Sequence, residues 1–147
     1  MDTRELYQEV ILDHNRSPKN FKKIENPTSM AVGHNPLCGD EITVSIIVED
    51  DVVEDVGFQG VGCAISQASA SMMTAAIKGK PVDAVRELFE KFHRMVASEE
   101  ETDLDAMGKL AAFGGVREFP ARVKCASLPW HTMKAALDEV SETVVTE

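Results

Sequence analysis

The sequence predicts an α+β fold, a small antiparallel sheet of about three strands covered on one side by about five helices, in one domain over residues 1–147. Apolar residues alternate with period two through 41–49 and again from Val52 to Phe58. Helical spacing of apolar residues dominates after residue 64, and no internal repeat or interdomain linker divides the chain. Strands grouped early and helices grouped late favour a sheet with a helical cover over a βαβ layout.

Asp2 or Thr3 suits the cap of a first helix over 3–14, whose apolar residues Leu6, Tyr7, Val10 and Ile11 share one face. Residues 15–36 carry Pro18, Pro27 and Pro36 with no sustained period, so they read as an extended loop with a short strand near 30–32. A loop of that length is a sign of function. The sheet is expected over about 30–60. Ile42, Val44, Ile46 and Val48 form one face of its main strand, Asp50-Asp51 suits a hairpin turn, and Val52, Glu54, Val56 and Phe58 form the return strand.

The helical part is expected over about 64–140. Gly60-Val61-Gly62-Cys63 closes the return strand, and Gly79 stands where a helix over 64–78 needs a residue with positive φ. Pro81 opens a third helix with the apolar face Val85, Leu88, Phe89, Phe92 and Val96. The acidic run from Glu99 is a solvated break, 104–113 forms a further helix ended by Gly114-Gly115, and Phe119-Pro120 breaks regularity. Ser127, with Pro129 in the first turn, starts the last helix, and the tail after Ser141 frays.

Net charge is −10, from 15 Lys plus Arg against 25 Asp plus Glu, which argues against binding to a phosphate backbone, so nucleic acid is not an expected partner. No apolar run approaches the ~20 residues of a membrane span, so no membrane partner is expected. The acidic start Met1-Asp2-Thr3-Arg4-Glu5 lacks the features of a signal peptide, and the expected compartment is the cytoplasm. An odd count of three cysteines excludes a complete disulfide framework and leaves reduced thiols as the default.

Each thiol has a chemical and a plain reading. In Pro36-Leu37-Cys38-Gly39-Asp40 a thiol and a carboxylate, both zinc ligand types, flank a glycine whose free dihedrals let them converge; the alternative is a turn Asp beside a buried Cys. In Gly60-Val61-Gly62-Cys63-Ala64 the thiol falls at a helix N-terminus, which favours thiolate; the alternative is a small residue packed at a strand-to-helix junction. In Arg122-Val123-Lys124-Cys125 two cations flank the third; the alternative has them point outward while Cys125 packs inside. All three cysteines read as lying at element boundaries. Together with Asp40 they would make a tetrahedral set suited to zinc or to a cluster iron, although no C-x-x-C pair establishes convergence. His34 is the one histidine near enough to replace Asp40, with a backbone hydrogen bond as its plainer role, while His14, His93 and His131 read as structural or exposed. Residues 66–73, rich in Ser, Ala and Met, read as close helix packing.

Several of these segments carry a resemblance. Leu6-Tyr7 through Asp13-His14, Asn35-Pro36-Leu37-Cys38-Gly39-Asp40, Gly60-Val61-Gly62-Cys63-Ala64-Ile65-Ser66, Ala68-Ser69-Ala70-Ser71-Met72-Met73 and Phe119-Pro120-Ala121-Arg122-Val123-Lys124-Cys125-Ala126 together resemble the iron-sulfur cluster assembly family of IscU and the NifU N-terminal domain, and within it the SufU branch. The scaffold branch carries His just before the third Cys, where this chain has Lys124, and the stretch from about Pro81 to Glu101 resembles an insertion of the SufU branch. The resemblance implies an IscU/NifU-like fold and one Zn2+ held by Cys38, Asp40, Cys63 and Cys125. It implies that Cys38 accepts persulfide sulfur from a SufS-type, pyridoxal-phosphate-dependent cysteine desulfurase and passes it to a downstream thiol or cluster-assembly recipient. Arg122 is a candidate stabiliser of the released thiolate. The protein would then be no stand-alone enzyme, but a sulfurtransferase-like acceptor acting with the desulfurase. An alternative is a scaffold on which Cys38, Cys63 and Cys125 ligate a labile [2Fe-2S] cluster, and a third reading is a structural zinc module.

Overall fold

The computed structural model describes residues 3–36, 39–97, 110, 113, 120–139 and 144–145. In chain order the elements are α1 (Thr3–Arg16), β1 (Ser29–Asn35), β2 (Asp40–Glu49), β3 (Val52–Val61), α2 (Ala64–Ile77), α3 (Val82–Ala97), α4 (Pro120–Leu137) and β4 (Val144–Val145). The sheet has the order β3-β2-β1-β4. The three long strands form the expected antiparallel meander, and β4 makes the whole sheet mixed because Val144 and Val145 pair in parallel with Gly33 and His34. The tail thus supplies a strand that the sequence reading missed, because two valines complete the open edge of β1 without any periodic signal of their own.

Local chemistry explains the hairpin. Asp50 and Asp51 both adopt positive φ, 53° and 60°, the conformation of a two-residue turn whose twist matches the flanking strands. Beyond it the return strand departs from simple alternation. Ile47 pairs with Asp55 but Val48 pairs with Val53, so the register slips at Glu54. Val53 therefore joins Val56 and Phe58 in the core while Glu54 is exposed, reversing the faces expected at the start of β3.

The helices pack on one face of the sheet: α4 lies against β1 and β2, α2 against β3, α1 against α2, and α3 against α4. Val10 and Ile11 of α1, Val44 and Ile46 of β2, Met73 of α2, Phe92 of α3 and Met133 of α4 belong to one core cluster. The opposite face is not bare, for Gly57 of β3 lies against Lys22 and Ile24 of the segment between α1 and β1. Four α-helices stand among the described residues, against about five expected. The expected helix over 104–113 lies outside the described residues, except Leu110 and Phe113, both buried. No helix among the described residues is long and apolar enough to cross a membrane.

Two helix termini show what local signals can and cannot tell. At α2, Lys78 is the C-cap and Gly79 has φ 82°, as the sequence reading requires. At α4, the start lies at Pro120 and not at Ser127, and Pro129 falls inside the helix. Pro120 suits a first turn, whereas Pro129 deletes the helix hydrogen bond that residue 129 would donate to the Cys125 carbonyl. Packing carries the helix through this defect: Leu128, Trp130 and Met133 are buried, and the Trp130 ring stacks on Phe92 of α3 with centroids 4.3 Å apart.

Close approach of α4 to the sheet depends on Gly33. A Cβ there would stand 2.0 Å from Thr132 Oγ1 and 2.9 Å from Leu128 Cδ1. The polar small residues of α2 serve the same end, since Ser69 Oγ is hydrogen-bonded with the Ala126 carbonyl and accepts from Trp130 Nε1 at 3.2 Å. His14 is structural, its Nδ1 2.6 Å from Ser71 Oγ.

Candidate metal centre

Strand alternation on β1 turns Ala31, Gly33 and Asn35 toward the helices, and the pairing of Asn35 with Asp40 puts both on that face at the end of the hairpin. Each is fully buried. Next to them β3 runs out at Val61, Gly62 crosses over, and Cys63 caps α2. α4 brings Cys125, buried, to the same place. One ligand atom from each of Asp40, Cys63 and Cys125 lies within 4.8 Å of the others.

Several contacts hold this arrangement. The Cys63 N–H donates to Asp40 Oδ1 at 2.7 Å, and Cys63 Sγ lies 3.8 Å from Asp40 Oδ2. The Cys63 thiol acts as N-cap and accepts the Ser66 N–H at 3.5 Å, while Ser66 Oγ donates to the Cys63 carbonyl at 3.1 Å. Asn35 Nδ2 donates to Cys125 Sγ at 3.6 Å. Gly62 is required by the crowding, because a Cβ there would stand 2.6 Å from both Asp40 Oδ1 and Ser66 Oγ. The hydrogen bond from Cys125 is the main reason that the Cys63 thiol is lowered from its ordinary 9.0 to about 6. Burial opposes this, the Ser66 N–H and hydroxyl support it, and the Asp40 charge opposes it.

This donor set fits zinc. Two thiols and a carboxylate are zinc ligand types, and bond lengths of about 2.0 to 2.3 Å put tetrahedral ligand atoms roughly 3.5 to 3.8 Å apart. The spread within 4.8 Å, with Cys63 and Asp40 at 3.8 Å, is close to that requirement. Three ligands would leave one tetrahedral position.

Of the residues singled out from sequence, Asp40, Cys63 and Cys125 come together, and Cys38 lies outside the described residues. Cys125 does not sit at an element boundary as expected, but in the second turn of α4. Arg122 is exposed and stands three residues before Cys125, one helical turn away. His34 takes the plainer of its two roles, its Nδ1 3.0 Å from the Asp40 carbonyl. Sequence reasoning missed Asn35 and Ser66 as site residues. Continuing the strand alternation to residue 35 would have turned Asn35 inward, and the spacing of Ser66 from Cys63 is that of a capped first turn.

The chain matches the NifU-like N terminal domain family over residues 6–126. It is 43% identical over 129 residues to the zinc-dependent sulfurtransferase SufU of Bacillus subtilis (strain 168), an alignment covering 88% of this chain and 87% of that protein. It is 41% identical over 136 residues to the iron-sulfur cluster assembly scaffold protein IscU of Thermotoga maritima, covering 92% and 95% respectively. Among solved structures it superposes on FiSufU, of the SUF system of Fervidobacterium islandicum AW-1, with a TM-score of 0.84 and 38% identity over 92% of this chain and 99% of that one.

Proposed function

The chain belongs to the NifU-like N-terminal domain family, and from that premise we propose that it is a zinc-dependent sulfur acceptor for iron-sulfur cluster biogenesis, working with a cysteine desulfurase of the SufS type in the cytoplasm. The observation that carries this reading is the convergence of Asp40, Cys63 and Cys125, with ligand atoms within 4.8 Å, where Asp40 follows Cys38 by two positions in the sequence. Cys38 completes the zinc set as fourth ligand. When bound, zinc keeps the thiols as thiolates and shields them from adventitious oxidation.

The transfer is a thiol exchange. The Cys38 thiolate attacks the terminal sulfur of the desulfurase persulfide, a new S–S bond forms on Cys38, and the donor's S–S bond breaks to release its cysteine as thiolate. No net electron transfer is required. Arg122, one turn before Cys125 on α4, is the cation assigned to the freed Cys38 thiolate. Asp40, a harder ligand than sulfur, keeps the site labile enough to release Cys38.

A second reading has an observation of its own, the 41% identity to the Thermotoga maritima scaffold IscU. There the same cysteines would carry a [2Fe-2S] cluster. The two separate on protein purified without oxygen and assayed with a cysteine desulfurase. One zinc per chain, no labile sulfide, and desulfurase turnover that rises with the wild-type chain but not with Cys38→Ala establish the acceptor. Iron with equimolar sulfide and no effect on turnover establish the scaffold.

A further inference from the structure

The two residues that face each other across the end of the β1–β2 hairpin treat the two described cysteines differently. Asp40 brings only acceptor oxygens to Cys63 when ionised, whereas Asn35, directly opposite it in the register, donates an amide N–H to Cys125 Sγ at 3.6 Å. Both residues are fully buried, so neither interaction competes freely with water. Cys125 is 2% exposed, while Cys63 is half-buried.

We propose that Asn35 is a positioning residue that fixes Cys125 as a ligand sulfur and withdraws it from nucleophilic chemistry. The N–H engages sulfur lone-pair density that would otherwise attack an electrophile, and it holds Sγ toward Asp40 and Cys63. Sulfur taken from a donor persulfide then stays off Cys125, which is buried on the helix that packs against β1 and β2. This inference rests on the sulfur-acceptor reading for its biological use, but its chemistry is a property of the chain alone.

The test uses the full chain freed of metal by a chelator, treated briefly with iodoacetamide and mapped by mass spectrometry. At about pH 10, above the ordinary range of a thiol, ionisation no longer sets the rate. Each alkylation forms a C–S bond and releases iodide, so the yield at each cysteine reports the nucleophilicity and access of its thiolate. Cys63 is expected to react well ahead of Cys125 in the wild type. Asn35→Leu, similar in size but without a donor, should raise the rate at Cys125 relative to Cys63 by about fivefold, the equivalent of one ordinary hydrogen bond. Asn35→Asp, which replaces the donor by an acceptor, serves the same purpose if the leucine variant does not fold. A second readout is cobalt substitution, in which losing the N–H···S bond moves the sulfur-to-cobalt charge-transfer band to lower energy.

Equal alkylation of Cys63 and Cys125 in the wild type overturns the proposal without any variant. So does an unchanged ratio together with an unmoved cobalt band in whichever variant folds. A wild type that takes up cobalt with no sulfur band fails the zinc reading alone, because the alkylation ratio is read on metal-free chains and still decides for or against Asn35.

Discussion

The Asp40 carboxylate binds both ends of Cys63, accepting its backbone N–H at 2.7 Å on one oxygen and lying 3.8 Å from its Sγ with the other. Strand β2 and helix α2 are thereby joined through a side chain that also faces the metal position. The joint is possible only because Gly62 leaves room for it.

Adding one methyl group at that glycine should disturb the site more than the fold. In Gly62→Ala the new Cβ would stand 2.6 Å from Asp40 Oδ1 and from Ser66 Oγ, and both of those atoms are held by other bonds. The carboxylate must rotate away. Zinc affinity measured by chelator competition should fall by about 10- to 100-fold, the range seen when groups supporting a ligand are lost, with a far-UV spectrum like wild type. Wild-type affinity in this variant would remove Asp40 from the ligand set.

Metal-free protein should show a thiol reactive well below the ordinary pH for cysteine. Because Cys63 titrates near 6, its alkylation rate should have a midpoint near that pH, against about 8.5 for an unperturbed thiol. The sign for stability follows from a folded value below the unfolded one. The contribution is fully present above about 8.5 and is lost as pH falls through 6. Unfolding midpoints of the metal-free wild type and Cys63→Ser should therefore converge as pH drops from about 9 to below 6. A constant difference across that window refutes the assignment.

Packing of α4 on the sheet predicts a mutational cycle. Gly33→Ala places a methyl group 2.0 Å from Thr132 Oγ1 and should cost about 1 to 3 kcal/mol in urea unfolding, the range for overpacked sites. Thr132→Ala removes that oxygen, so the double variant should recover part of the loss, although Leu128 Cδ1 at 2.9 Å keeps the recovery incomplete. Strict additivity would mean that the two positions do not meet.

Most of the elements were legible because their signals are local. Asp50-Asp51 forms the turn it suggests, Gly79 follows the end of α2, and Val85, Phe89, Phe92 and Val96 are the buried stripe of α3. Where the reading failed, a distant partner had outweighed the local signal. Pro129 looks like a helix start until Trp130 is stacked on Phe92, and Val52 looks inward until the slip at Glu54 turns Val53 in its place. Val144 and Val145 have no pattern at all without the edge of β1.

The sequence by itself determined the chemistry available to this protein: three thiols, a carboxylate beside one of them, glycines where backbone must pass closely, and the family those motifs resemble. Only the tertiary structure decided that Asp40, Cys63 and Cys125 meet, that Asn35 addresses one sulfur and Asp40 the other, and that Cys125 rides inside a helix. The reason is physical. Turns, caps and periodic faces depend on residues a few positions apart, whereas this site is set by how β2, α2 and α4 pack, and that packing turns on contacts such as Gly33 with Thr132 between residues far apart in the chain.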